Sequence, residues 1–91
     1  MDQKVIEKVC ELMARVIKLN ENAKSVFYNF EFSGHTKQVD FSKRRLNGFE
    51  QIYRHYSYLD RPDLTITLED IEVLIAAEEK AQKEGQENDL V

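Results

Sequence analysis

Ser25-Val26-Phe27-Tyr28-Asn29-Phe30-Glu31-Phe32-Ser33-Gly34-His35-Thr36-Lys37-Gln38-Val39-Asp40-Phe41 is the stretch that decides the fold. Val26, Tyr28, Phe30 and Phe32 alternate with Ser25, Phe27, Asn29 and Glu31, and a period of two places one set on one face of a strand. Ser33-Gly34-His35-Thr36 is turn chemistry, with Gly34 free to take a positive φ, and Val39 and Phe41 then alternate with Gln38 and Asp40 in a second strand. The two strands close as an antiparallel hairpin. Its face of Val26, Tyr28, Phe30, Val39 and Phe41 must be covered by helices.

Working toward the N-terminus, Val5, Val9, Leu12, Val16 and Leu19 recur at spacings of three and four, flanked by Ile6, Met13 and Ile17, which predicts a helix over 2–21. These apolar residues fill about half the helical circumference, wider than the roughly 100° stripe of a surface helix, so two neighbours are expected. Glu7, Lys8, Glu11, Arg15 and Lys18 form the opposite, solvated face. Cys10 sits at the edge of the apolar arc and reads as a packed thiol, not a nucleophile, because no His shares that face.

Working toward the C-terminus, Lys43-Arg44-Arg45 is followed by Asn47-Gly48, the strongest short turn signal in the chain. Phe49 to Leu59 is ambiguous. Phe49, Ile52, Tyr53 and Tyr56 fit a helix, whereas Ile52, Arg54, Tyr56 and Tyr58 alternate, and the Asn-Gly turn favours a strand. Arg61-Pro62-Asp63 breaks the chain, Leu64, Ile66 and Leu68 alternate briefly, and Thr67 with Asp70 resembles an N-cap with an acidic first turn. A second helix is expected from there, with Leu68, Ile71, Leu74 and Ile75 on one face. Glu78 falls in the same line, so packing should fade after Ala77. Gly85 is a C-cap candidate and Gln86 to Val91 should fray. The expectation is a single α+β domain over 1–85 with a tail over 86–91: helix, two- or three-stranded antiparallel sheet, helix.

Length and composition fit this. Ninety-one residues suit one domain, and 42% hydrophobic with 33% charged residues is globular composition. No apolar run approaches the roughly 20 residues that span a bilayer. The N-terminus has no signal-peptide layout and Cys10 is the single cysteine, so a cytoplasmic setting is expected. The net charge of −4 is unevenly spread, with a basic middle and an acidic C-terminal third. Such asymmetry steers partners of opposite charge.

Three candidate sites follow. Lys37, Lys43, Arg44, Arg45 and Arg54, interleaved with Tyr53 and Tyr56, could grip phosphates and stack bases, or meet a protein partner. Their alternative is the solvated edge strand on which Lys and Arg block aggregation. Glu69, Asp70, Glu72, Glu78 and Glu79 could imitate a phosphate track, or form an ordinary solvated face. His35, His55 and Asp40 could make a small hydrolytic or metal site if the fold brings them together. There is no Gly-rich phosphate loop, nucleophile elbow, paired-carboxylate signature or zinc spacing, so neither an enzyme nor a cofactor is expected.

The run from Val26 to Asp40, preceded by a helix and followed by Asn47-Gly48-Phe49 and Tyr56-Ser57-Tyr58-Leu59-Asp60, resembles small uncharacterised phage and prophage accessory proteins, in which two aromatics lead into a Ser-Gly-His turn. The resemblance implies a helix, an antiparallel sheet and a closing helix, a mobile-element origin and no catalytic residues. With it, the leading expectation is a protein-binding accessory factor that modulates or inhibits a host nucleic-acid-handling protein. Direct nucleic-acid binding through the basic, Tyr-rich segment is the alternative. The wide apolar arc of the first helix also leaves two states open, a two-fold homodimer and a monomer.

Overall fold

The computed structural model describes residues 2–59 and 65–85. Helix α1 spans Gln3–Asn22, and its N-cap Asp2 accepts a hydrogen bond from the Lys4 backbone N–H at 3.1 Å, satisfying one of the donors that a helix start leaves free. Val9, Leu12, Val16 and Leu19 are buried at spacings of three, four and three, one face of the helix. At its far end the Asn20 amide accepts from the Tyr28 N–H and donates to the Tyr28 carbonyl, both at 2.8 Å, tying the helix to the first strand.

Strands β1 (Val26–Ser33), β2 (Gln38–Arg45) and β3 (Gln51–Tyr58) form an antiparallel meander in the order β1-β2-β3, and α2 (Thr65–Lys83) closes an α+β fold. Tyr28 pairs with Lys43, Phe30 with Phe41 and Phe32 with Val39. On the other side, Phe41 pairs with His55 and Val39 with Ser57. Both helices cover one face, α1 against β1 and α2 against β3. Val26, Tyr28, Val39 and Phe41 are buried in the core with Leu68, Ile71 and Ile75 of α2, and Phe30 packs against them half-buried. The expected inward face of the hairpin is the observed one.

The helices run parallel. Lys8 meets Glu72, Arg15 meets Glu79, and the Gln82 amide donates to the Leu19 carbonyl at 2.9 Å. No helix among the described residues is long and apolar enough to cross a membrane.

Some of the finer expectations hold and others need correcting. The ambiguous stretch is strand β3, entered through a turn in which Gly48 takes φ 84° and Phe49 φ 59°, with the Arg45 N–H donating to the Glu50 carbonyl at 2.8 Å. The register jumps by one between Lys43 and Arg44, where Ile52 is the extra residue of a β-bulge. In the first turn Lys37, not Gly34, takes the left-handed conformation, with φ 57°. Helix α2 begins at Thr65, two residues before the expected cap, so Ile66 and Leu68 are helical. Packing does not fade after Ala77: Glu78 and Ala81 are both buried. Gly85 takes φ 77° just beyond α2, as a C-terminal cap requires. The expectations for Arg61-Pro62-Asp63, Leu64 and Gln86 to Val91 lie outside the described residues.

Candidate functional site

Inward parity on β2 carries Lys43 into the core. Lys43 is 1% exposed and Glu78 5%, and the Lys43 ammonium donates to Glu78 Oε1 at 2.8 Å. The Tyr28 hydroxyl donates to the same oxygen at 2.8 Å and the Tyr53 hydroxyl to Oε2 at 3.1 Å. A buried ion pair is tolerable only when its remaining lone pairs find donors, and here two tyrosines supply them. Burial, reinforced by the Glu78 carboxylate, pushes the Tyr53 hydroxyl well above its usual range. Two members of the expected phosphate-gripping set, Lys43 and Tyr53, therefore point into the core, because both fall on the inward parity of their strands. Glu78 leaves the expected acidic face for the same interior.

The other basic residues stay outside but are mostly engaged. Arg54 holds Asp40 through two parallel contacts, at 2.8 and 2.6 Å, and its guanidinium lies 5.4 Å from the centre of the Tyr56 ring. Arg44 donates to the Phe49 carbonyl and the Gln51 amide, Arg45 pairs with Glu50 at 3.3 Å, and Lys37 donates to the Gly34 carbonyl at 2.9 Å. On α2, Glu72 and Glu79 are bound to Lys8 and Arg15, leaving Glu69 and Asp70 exposed from the expected acidic set.

The hydrolytic or metal reading of His35, His55 and Asp40 does not survive the register. His55 pairs with Phe41 and sits half-buried, its Nε2 buried and, among the described residues, without a hydrogen-bond partner. Asp40, one residue before Phe41, points to the opposite face and is held by Arg54. His35 is exposed in the turn. Among the described residues no group of three or more His, Cys, Asp or Glu side chains is placed to hold a metal ion.

What the fold exposes is of two kinds. The sheet face away from the helices has a polar centre of Asn29, Glu31, Asp40, Ser42, Arg44, Gln51 and Arg54. Aromatics flank it: Phe27 against Phe49 edge-on at 5.9 Å, and Tyr56 against Tyr58 at 5.9 Å. Phe27 and Phe49 are absent from the expected site residues, although outward parity opposite Tyr28 marks Phe27 in the sequence. The second feature is an apolar groove of about 370 Å³ lined by Ile6, Val9, Cys10, Met13, Phe32 and Leu59. Cys10 is exposed there and is not a packed thiol, because the core lies on the Leu12 and Val16 side of α1. No protein-family model, no curated protein and no solved structure matches this chain.

Proposed function

We propose that this protein is a non-enzymatic accessory factor that docks a protein partner on the open face of its sheet. The observation that carries the reading is the composition of that face: Phe27, Phe49, Tyr56 and Tyr58 around a centre in which Arg54 is already neutralised by Asp40. Aromatic residues and Arg are enriched at protein interfaces, and compensated charges there set orientation without demanding a highly charged ligand. A phosphate backbone needs cations free to displace its counterions. Lys43 is buried and Arg54 is bound, which favours protein over nucleic acid. The phosphate-mimic version of the reading is weaker still, with Glu78 in the core and Glu72 and Glu79 paired.

The resemblance to phage and prophage proteins directs the search for a partner to a bacterial lysate. Capture on immobilised protein at moderate salt is expected to retain a specific protein that Phe49→Ala and Tyr56→Ala variants lose while keeping the wild-type circular dichroism. Retention of nothing specific, or retention indifferent to both substitutions, overturns the reading. Labelled single- and double-stranded DNA and RNA are expected to show no mobility shift at about 50 mM salt, where phosphate contacts are strong. A shift abolished by Arg44→Ala would move the assignment to nucleic-acid binding.

A further inference from the structure

The two edges of α1 are treated differently by the fold. On one edge Lys8, Glu11 and Arg15 form a network that reaches Glu72 and Glu79 of α2. On the other, Ile6 is 39% exposed, Met13 37% and Ile17 56%, and Cys10 between them is exposed as well. Their spacings of four, three and four keep them in one stripe along the helix. Phe32 and Leu59 continue the apolar surface as the far wall of the groove at the stripe's N-terminal end.

Three charges flank this stripe on its solvent side: Glu7, Lys18 and Glu21. Among the described residues none of the three makes an ion pair, and the Glu7 carboxylate takes only the Gln3 amide, at 3.3 Å. Laid against its own copy in the opposite direction, the stripe matches itself, Ile6 over Ile17 and Cys10 over Met13. In the same arrangement Glu7 faces Lys18 on one side of the seam. The facing charges are then offset along the axis by two residues, a rise of about 3 Å that a lysine side chain spans easily. Laid in the same direction, the two-fold would carry the copies of Glu7 and Lys18 to opposite sides of the seam and leave that pair unmade. The antiparallel arrangement also brings Ile17 of the second copy to Ile6, at the mouth of the groove.

We propose that this edge of α1 is the seam of a two-fold homodimer, two copies packing antiparallel through Ile6, Cys10, Met13 and Ile17 with Glu7 of each against Lys18 of the other. A two-fold axis makes one self-complementary patch sufficient, and this patch is self-complementary in both apolar spacing and charge. The seam is separate from the sheet face and does not depend on a partner there. Substitutions at Val9 or Leu12 cannot test it, because both side chains are in the core.

Light scattering from micromolar to millimolar concentration is expected to move from the 10.7 kDa chain mass toward twice that value. Ile17→Glu should remain monomeric throughout with unchanged circular dichroism. Lys18→Glu should weaken association by about tenfold, and adding Glu7→Lys should restore it, since two surface pairs are broken and then re-formed. For orientation, in a Cys10→Ser background Ile6→Cys with Ile17→Cys should oxidise to a covalent dimer. Ile6→Cys alone should not, because the two copies of residue 6 lie about 16 Å apart along the seam. A mass of 10.7 kDa at every concentration, failure of the double reversal to rescue, or efficient cross-linking through Ile6→Cys alone would each overturn the proposal.

Discussion

Lys43 is flanked in sequence by Ser42 and Arg44, and nothing in its own neighbourhood distinguishes it from a surface cation. What decides its place is parity with Phe41 and a carboxylate 35 residues away on α2. Removing one member of such a pair leaves an uncompensated charge in the interior, so Glu78→Gln is expected to cost about 3–5 kcal/mol. Adding Lys43→Met should recover most of that loss, because the introduced amide still accepts from a tyrosine and no bare charge remains. Urea denaturation of the two variants checks both numbers, and a double variant no better than the single would mean that the charge is not the cause. Backbone conformation makes a second claim at this scale. Lys37 holds φ 57° and Gly48 φ 84°, so Lys37→Gly should stabilise and Gly48→Ala destabilise, each by about 1 kcal/mol. Thermal midpoints moving in the same direction for both would contradict this.

Among the elements, the junction of α1 and α2 depends on charge. The Lys8 ammonium holds the Glu72 carboxylate below its usual 4.5, and the same contact lifts Lys8 above 10.5. A carboxylate lowered in the folded state binds fewer protons there than in the unfolded chain. Its contribution is complete above pH 4.5 and is lost as pH falls through the folded value. The Lys8 contribution is complete below pH 10.5 and is lost as pH rises through its own folded value. Urea midpoints should therefore decline on the acid side of 4.5, and Glu72→Gln should flatten that decline. An unaltered acid limb in the variant would place the titration elsewhere. The hairpin of β1 and β2 is legible in the sequence because its inward residues are apolar and its outward ones largely polar. Strand β3 is legible only with the help of the Asn47-Gly48 turn before it, for two physical reasons. Its inward residues are Tyr53, His55 and Ser57, which carry little hydrophobic signal, and the bulge at Ile52 breaks the period where alternation would be counted. Glu78 escapes a sequence reading because a charge in line with Ile71 and Ile75 looks like the end of a core until its partner is known.

At the scale of the whole molecule, local and distant contacts are separated. The meander is built from two short turns, whereas the contacts of α1 with α2 join residues 64 apart, Lys8 to Glu72 and Arg15 to Glu79. Closing a long loop costs entropy before any contact repays it, so the hairpins are expected to form early and the parallel docking of the helices to come after the rate-limiting barrier. Arg15→Ala should then quicken unfolding and leave the folding rate nearly unchanged, a φ-value near zero, provided the loss of stability is large enough to read. Equal slowing of folding would mean that the helices dock before the barrier. The ladder between the parallel helices would thus act as a latch on an assembled sheet: it governs how long the native state lasts and has little say in how quickly it is reached.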